Sequence, residues 1–384
     1  VRQPFLFYGH KTFFSKNFRD LLALFNAFTK YKSLCVPYWL VLCYFCVKYW
    51  ENNMTMEFRT KVPISRSDFQ VDHHSRLMIF GSCFSENIGN LLLANKFDVD
   101  LNPFGILYNP LSISIAFDRL LSGEAFNESD LTIREGIYHS FLHHGAFSSA
   151  DPQVCLRRIN DRFDSASARV AQTDVFFVTF GTAYVFRSKT TGNVVGNCHK
   201  FPSDFFSRNM LSVELIVAEW SKLIGEILQL HPDSKFVFTV SPIRHWKDGA
   251  HQNQVSKSIL HLSIDKLMKI HSDSVRYFPA YELMMDDLRD YRFYASDMMH
   301  PSEIAIEYIW ERFRETYFSD ETEKILSQWH PLLLALKHRP VDADSVVYQS
   351  FLKNTLSKIL QFQNKYPFIS LSEEIKQLQN SESC

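Results

Sequence analysis

From residue 57 onward, short apolar runs alternate with longer stretches whose apolar positions recur every three or four residues. Leu77–Phe80 (LMIF), Asp174–Phe180 (DVFFVTF), Lys235–Val240 (KFVFTV) and Val275–Phe278 (VRYF) read as strands. Each ends on a turn: Gly81-Ser82, Gly181-Thr182, Ser241-Pro242 and Pro279. Helical patterns cover Glu86–Lys96, with Ile88, Leu91, Leu92 and Leu93 inward, then Ser212–Leu230 and Glu303–Phe318. This alternation predicts an α/β fold with a parallel sheet and helices on both faces. The near-continuous apolar runs fit strands buried on both sides. Between them, residues 98–170 read as turns and helices around a His-rich stretch, Gly136–Phe147 (GIYHSFLHHGAF), expected to form a lobe over one sheet edge. Beyond Ser319, Ser345–Phe362 and Ser372–Gln379 predict a helical appendage. No internal repeat is visible.

Composition sharpens this picture. At 46% hydrophobic and 22% charged the 384-residue chain is globular. Its length fits two domains, or one large domain with additions. A formal net charge of -1 leaves no basic footprint for nucleic acid. The first 53 residues differ from the rest. They carry seven Lys or Arg against Asp20 and Glu51, and three of the seven cysteines, Cys35, Cys43 and Cys46. Their apolar run, 34–47, is 14 residues long and interrupted by Pro37. A spanning helix needs about 20. A poor membrane anchor, an uncleaved signal and a chain start placed too early all compete. We expect the third, with Met54 or Met56 just ahead of the ordered domain, and residues 1–53 outside the fold. The domains are then 57–318 and a helical appendage, 319–384. The other four cysteines, Cys83, Cys155, Cys198 and Cys384, show no CxxC pairing and no regular spacing, which predicts reduced thiols and a cytoplasmic protein, or one anchored through 34–47.

In parallel sheets, ligands bind beyond the carboxyl ends of the strands. Ser82 stands there, where a strand turns at Gly81 into a helix. Free N–H groups at a helix start favour developing negative charge, and a Ser there is a nucleophile if a His reaches it. On the turn alone, helix capping is explanation enough. Asp297 and His300 lie three apart in Ser296–Ser302 (SDMMHPS), a spacing that folds the carboxylate onto the imidazole. Cys83 is a rival nucleophile, or a small inward hydrophobe. His139, His143 and His144 lack carboxylate or Cys partners at ligand spacing, so no metal and no cofactor are expected. Arg244, His245 and Trp246 follow a strand end. They could take an anionic or sugar-like substrate, or form a solvated loop with Trp246 on the core.

Ile79–Gly89 (IFGSCFSENIG), taken with DMMHPSE, resembles the GSCFA family, a branch related to the SGNH (GDSL-like) hydrolases. NPFG at Asn102–Gly105, FGTA at Phe180–Ala183, NCHK at Asn197–Lys200, SPIRHWKDG at Ser241–Gly249 and YRFYA at Tyr291–Ala295 are similar to that family too. The likeness spans roughly residues 57–318, with Ser85 standing where the family motif has Ala. It implies a three-layer αβα fold and a Ser–His–Asp apparatus, with Ser82 as nucleophile, His300 as base and Asp297 as its partner. It also implies an oxyanion site from the N–H groups of Ser82 and Gly105, with Thr182 where SGNH hydrolases place an Asn. Asn102 and His199, with Arg244, His245 and Trp246, are the implied substrate-binding residues. The expected function is a serine hydrolase or acyltransferase acting on an acyl ester, on a small molecule or a carbohydrate. The alternative is a non-catalytic glycan-binding module on the same scaffold.

Overall fold

The alternating side chains of the first strand already define the layers of the fold. Met78 and Phe80 bury on one face, Leu77 and Ile79 on the other. The computed structural model describes residues 59–340, 342 and 345–382. The expectation for residues 1–53 lies outside the described residues. In chain order the main elements are β1 (Arg76–Phe80), α1 (Cys83–Ala94), β2 (Asp98–Leu101), α2 (Pro110–Ser122), β3 (Leu131–Arg134), β4 (Ile137–Ser140) and α3 (Pro152–Val170). Then come β5 (Val175–Phe180), β6 (Tyr184–Ser188), β7 (Val194–Val195), β8 (Phe206–Met210), α4 (Val213–Leu230), β9 (Lys235–Val240), α5 (Gly249–Ile270) and β10 (Val275–Tyr277). The chain ends in α6 (Glu303–Tyr317), α7 (Asp320–Lys337), α8 (Val346–Lys365) and α9 (Ser372–Glu382).

The central sheet has the order β10-β9-β5-β1-β2, and every pairing in it is parallel. Phe117, Phe163, Trp220 and Leu260, from α2, α3, α4 and α5, cover one face. Phe84 and Leu92 of α1 and Ile309 and Phe313 of α6 cover the other. This is a three-layer αβα fold. The order reverses at β1, where β2 lies on one side and β5 on the other, so the crevice beyond the ends of β1 and β5 is the expected ligand position.

Two expectations change. Residues 98–170 are not one lobe: Asp98–Leu101 is the edge strand of the main sheet, and α2 and α3 belong to the helical layer. Only the β3–β4 hairpin and its neighbouring turns, with the antiparallel group β7-β6-β8, stand apart from that sheet. The carboxy-terminal region also gains a helix, α7, which carries Pro331. It helps build a separate apolar cluster with α8 and α9 around Trp329, Ile359 and Leu371. That cluster is tied to the far end of α1: Trp329 Nε1 donates to Ala94 O at 2.9 Å, and Lys96 pairs with Glu374.

Candidate active site

The Gly81-Ser82 turn is built under tight constraint. Gly81 has φ +146°, and a Cβ there would lie 2.5 Å from Ser85 Oγ, 2.7 Å from Thr179 O and 2.8 Å from Thr179 Cβ. Its N–H donates to Asn102 Oδ1 at 3.0 Å, and its carbonyl accepts from Leu107 N–H at 3.1 Å. The peptide before Ser82 is thereby fixed from both sides. Ser82 follows as the N-cap of α1, its Oγ accepting from Phe84 N–H at 3.3 Å. The capping role and the strand-end position coexist in one side chain, which is 2% exposed. The Ser82 N–H donates to no protein acceptor among the described residues.

Asp297 and His300 form the local pair that their spacing predicts. His300 Nδ1 lies 2.5 Å from Asp297 Oδ2, while Asp297 Oδ1 accepts from the N–H groups of Met299 and His300, both at 2.9 Å. Those two N–H groups, with the imidazole, hold the Asp297 carboxyl down to about 2. Asp297 therefore stays ionised across the physiological range, as an orienting carboxylate must. The loop lies at the Ser82 edge of the sheet. The Cys83 thiol is pushed up by burial, and the charges of Glu86 and Asp297 add to it. That shift removes the thiolate expected of a rival nucleophile. No hydrogen bond joins His300 to Ser82 among the described residues. The Ser82 hydroxyl instead donates to Ser241 Oγ at 3.3 Å.

The expected oxyanion donors are placed differently. Gly105 N–H donates to Asn102 O at 2.7 Å inside the NPFG turn, so it is committed to local structure. The Thr182 hydroxyl lies 3.2 Å from Ser256 Oγ on α5 and accepts from Tyr184 N–H at 3.1 Å. It serves the start of β6, not the Ser82 pocket. Asn102 uses its carboxamide oxygen on Gly81, and its buried Nδ2 has no partner among the described residues. It shapes the turn and is not exposed to a ligand. His199 is held in the lobe, where its Nε2 meets Ser140 O at 2.8 Å and its ring stacks on His139 at 4.4 Å. His143 packs on Phe104 nearby, and burial lowers it to about 3.

Arg244, His245 and Trp246 do lie at the strand-end edge. Arg244 stands 5.1 Å over the Trp246 ring and 5.6 Å over the Tyr294 ring, joining the β9 loop to the segment that carries His300. Trp246 is 44% exposed, so it is not packed into the core. His245 anchors its N–H on Asn253 Oδ1 at 2.8 Å and sets its ring edge-on to Tyr108. Burial first, then the Lys257 charge, lowers His245 to about 4, with Arg208 and His300 contributing. His245 is thus neutral near pH 7.

Two residues outside the expected catalytic and binding set also meet here, and one of them, Ser241, stands at a strand end where a ligand was expected. Ser241 is fully buried and touches Ser82. Lys257 is fully buried on α5, its Nζ donating to Gly181 O and Ser241 O, both at 2.7 Å. The signal for Lys257 was present: it falls on the same helical stripe as Leu260, Ile264 and Leu267. A lysine on a buried stripe needs a reason.

Among known proteins, the GSCFA family profile matches residues 76–313, and the profile described as GSCFA domain protein, C-terminal domain, matches residues 329–382. No curated protein sequence matches the chain. Among solved structures, it is similar to an acetyl xylan esterase, Est2A, from the rumen bacterium Butyrivibrio proteoclasticus, at 11% identity and TM-score 0.31. That likeness covers 67% of this chain and 64% of the esterase, less than two thirds of its length. It is also similar to a Clostridium thermocellum family 3 carbohydrate esterase, at 13% identity and TM-score 0.27, over 66% of this chain and 97% of the other. Among the described residues, no helix is long and apolar enough to cross a membrane.

Proposed function

Because this chain belongs to the GSCFA family, whose profile covers more than half of it, we propose that it is a serine hydrolase or acyltransferase acting on an acyl ester. The observation that carries this reading is the 2.5 Å Asp297–His300 pair on the sheet edge where a buried Ser82 opens a helix. Ser82 Oγ attacks the acyl carbon as its proton passes to His300 Nε2. Asp297 holds Nδ1–H and stabilises the imidazolium. The carbonyl oxygen becomes an oxyanion beside the free Ser82 N–H and the start of α1. His300 then returns the proton to the leaving alcohol, and water or an acceptor hydroxyl resolves the acyl-enzyme. For this to begin, the Ser82 hydroxyl turns from Ser241 toward His300. Catalytic hydrogen bonds often tighten only when substrate is bound. The exposed Trp246, stacked under Arg244, offers a face for a sugar ring, which favours an ester carried on carbohydrate.

The engaged state of Ser82 favours a second reading, a glycan-binding module without turnover. A fluorophosphonate probe separates the two. Stoichiometric labelling, mapped to Ser82 by mass spectrometry and abolished in Ser82→Ala and His300→Ala, supports the enzyme. An unlabelled wild-type protein that still binds glycan refutes it.

A further inference from the structure

Beyond the expected triad, Ser82 has one side-chain hydrogen-bond partner among the described residues, Ser241. Ser241 follows β9 directly, and every polar group it owns is directed. Its N–H donates to Phe180 O at 2.9 Å, its carbonyl accepts from Lys257, and its Oγ accepts from Ile243 N–H at 3.3 Å and from the Ser82 hydroxyl at 3.3 Å. A hydroxyl accepts through its two lone pairs and has one proton to give. Both acceptor directions are taken, so the proton of Ser241 is aimed away from its own loop. Ser82 follows β1 and Ser241 follows β9, and the two meet across the end of β5, which lies between those strands.

Lys257 explains why this hydroxyl is held so firmly. A buried ammonium costs several kcal/mol unless it is well paired, and an apolar residue would continue the stripe of α5 more cheaply. Among the described residues, no carboxylate is a hydrogen-bond partner of Lys257. It satisfies instead the two carbonyls that the strands leave open where they end, those of Gly181 and Ser241. Its other neighbours are the Tyr281 ring at 5.7 Å, and His245 and His261, which its charge depresses. On an open edge water would serve these carbonyls. Here a fully buried amine serves them, and hydrogen bonds in so enclosed a place are stronger than in water.

We propose that Ser241 supplies the side-chain hydrogen bond to the developing oxyanion, and that Lys257 is the positioning residue that holds it in place. The proposal rests on the serine-hydrolase reading. It moves the second donor from Thr182, whose hydroxyl is turned to Ser256, to a residue one strand further along the sheet. No bond is made or broken at Ser241. It donates to the oxygen while charge is present and releases it when the carbonyl re-forms.

The test is the kinetics of fluorophosphonate inactivation of the full chain, resolved into a maximal rate and a half-saturating concentration. Ser241→Ala should lower the maximal rate by about 100- to 1,000-fold, the scale of losing one oxyanion donor, and leave the half-saturating concentration within about two-fold. Lys257→Met should lower the same maximal rate. The double variant should be no worse than the slower single one, because Lys257 acts through Ser241. Additive losses, or a Ser241→Ala rate equal to wild type, would overturn the proposal. Ser241→Ala retains both Lys257 contacts, which are to main-chain carbonyls, so it decides the matter even if Lys257→Met fails to fold. An unlabelled wild-type protein removes the serine-hydrolase reading and this proposal together. A labelled wild type with an unaffected Ser241→Ala removes the proposal alone.

Discussion

Replacing Gly81 by alanine tests the geometry of the nucleophile turn at its tightest point. The backbone at φ +146° is one that side-chain-bearing residues rarely adopt, and holding an alanine there costs about 1–3 kcal/mol. The new methyl then meets three atoms inside 3.0 Å. Ser85 Oγ can rotate away. Thr179 O and Thr179 Cβ belong to β5, which is paired on both sides and cannot retreat. Overpacking of this kind adds about 1–3 kcal/mol. The sum, roughly 2–6 kcal/mol, corresponds to a fall in Tm of about 5–15 °C for a domain of this size. Calorimetry reads the stability, and fluorophosphonate labelling reads the position of Ser82. Adding Ser85→Gly should restore only a minor part of the loss, since it relieves one contact and leaves the strand in place. A Gly81→Ala protein that melts within about 2 °C of wild type would refute the account of the turn.

Arg162→Met should cost about 3–5 kcal/mol in urea unfolding, because it leaves the Asp100 carboxylate, only 4% exposed, without its cation; a loss under about 1 kcal/mol would show that the pair contributes little. Thr239→Val should raise stability by about 1 kcal/mol, since the Thr239 hydroxyl is buried with no partner among the described residues, beside a cavity of about 30 Å³; destabilisation would mean that a bound water satisfies it. Burial lowers Lys257 to about 7 from 10.5. Between those values the unfolded chain binds more protons, so stability rises with pH. The unfolding free energy of wild type relative to Lys257→Met should therefore grow by about 1.4 kcal/mol per pH unit above 7, and a flat difference from pH 7 to 10 would contradict a lowered, buried amine.

The strands legible from sequence are those buried on both faces. DVFFVTF and KFVFTV are continuous apolar runs because helices cover each side of β5 and β9. DVDL was not legible as β2, since an edge strand need not be apolar throughout, and the burial of Asp100 depends on an arginine 62 residues away. Helix α7 was hidden by Pro331 and by a strongly charged first turn. Within the site, the Asp297–His300 contact was readable because a three-residue spacing nearly determines it. The donors around Ser82 were not, because their direction depends on which neighbour takes each hydrogen bond. Thr182 has the right strand end and the wrong partner. Ser241 has the contact because β1 and β9 flank the same central strand, β5, and both serines follow their strands directly or one residue on.

The strap ahead of β1 gives the fold a particular order of assembly. Ser67 N–H and Val71 N–H donate to Thr316 O and Tyr317 O, both at 2.8 Å, and Val62 N–H reaches Asp287 Oδ1 at 2.6 Å. The first and last parts of the αβα layers are therefore sewn to each other. During synthesis at about 5–20 residues per second, the emerging strap waits on the order of ten to fifty seconds for the residues that complete it. Throughout that interval Leu77, Ile79, Val175, Phe177 and Val237 lack the helix α6 that covers them. The nascent chain carries an open apolar sheet face until α6 leaves the ribosome, and its yield in the cell becomes a contest between chaperone capture and aggregation. Conversely, because the two ends of these layers touch, joining them by a short linker and opening the chain at an exposed loop should let α6 be made before β1 and shorten the exposure.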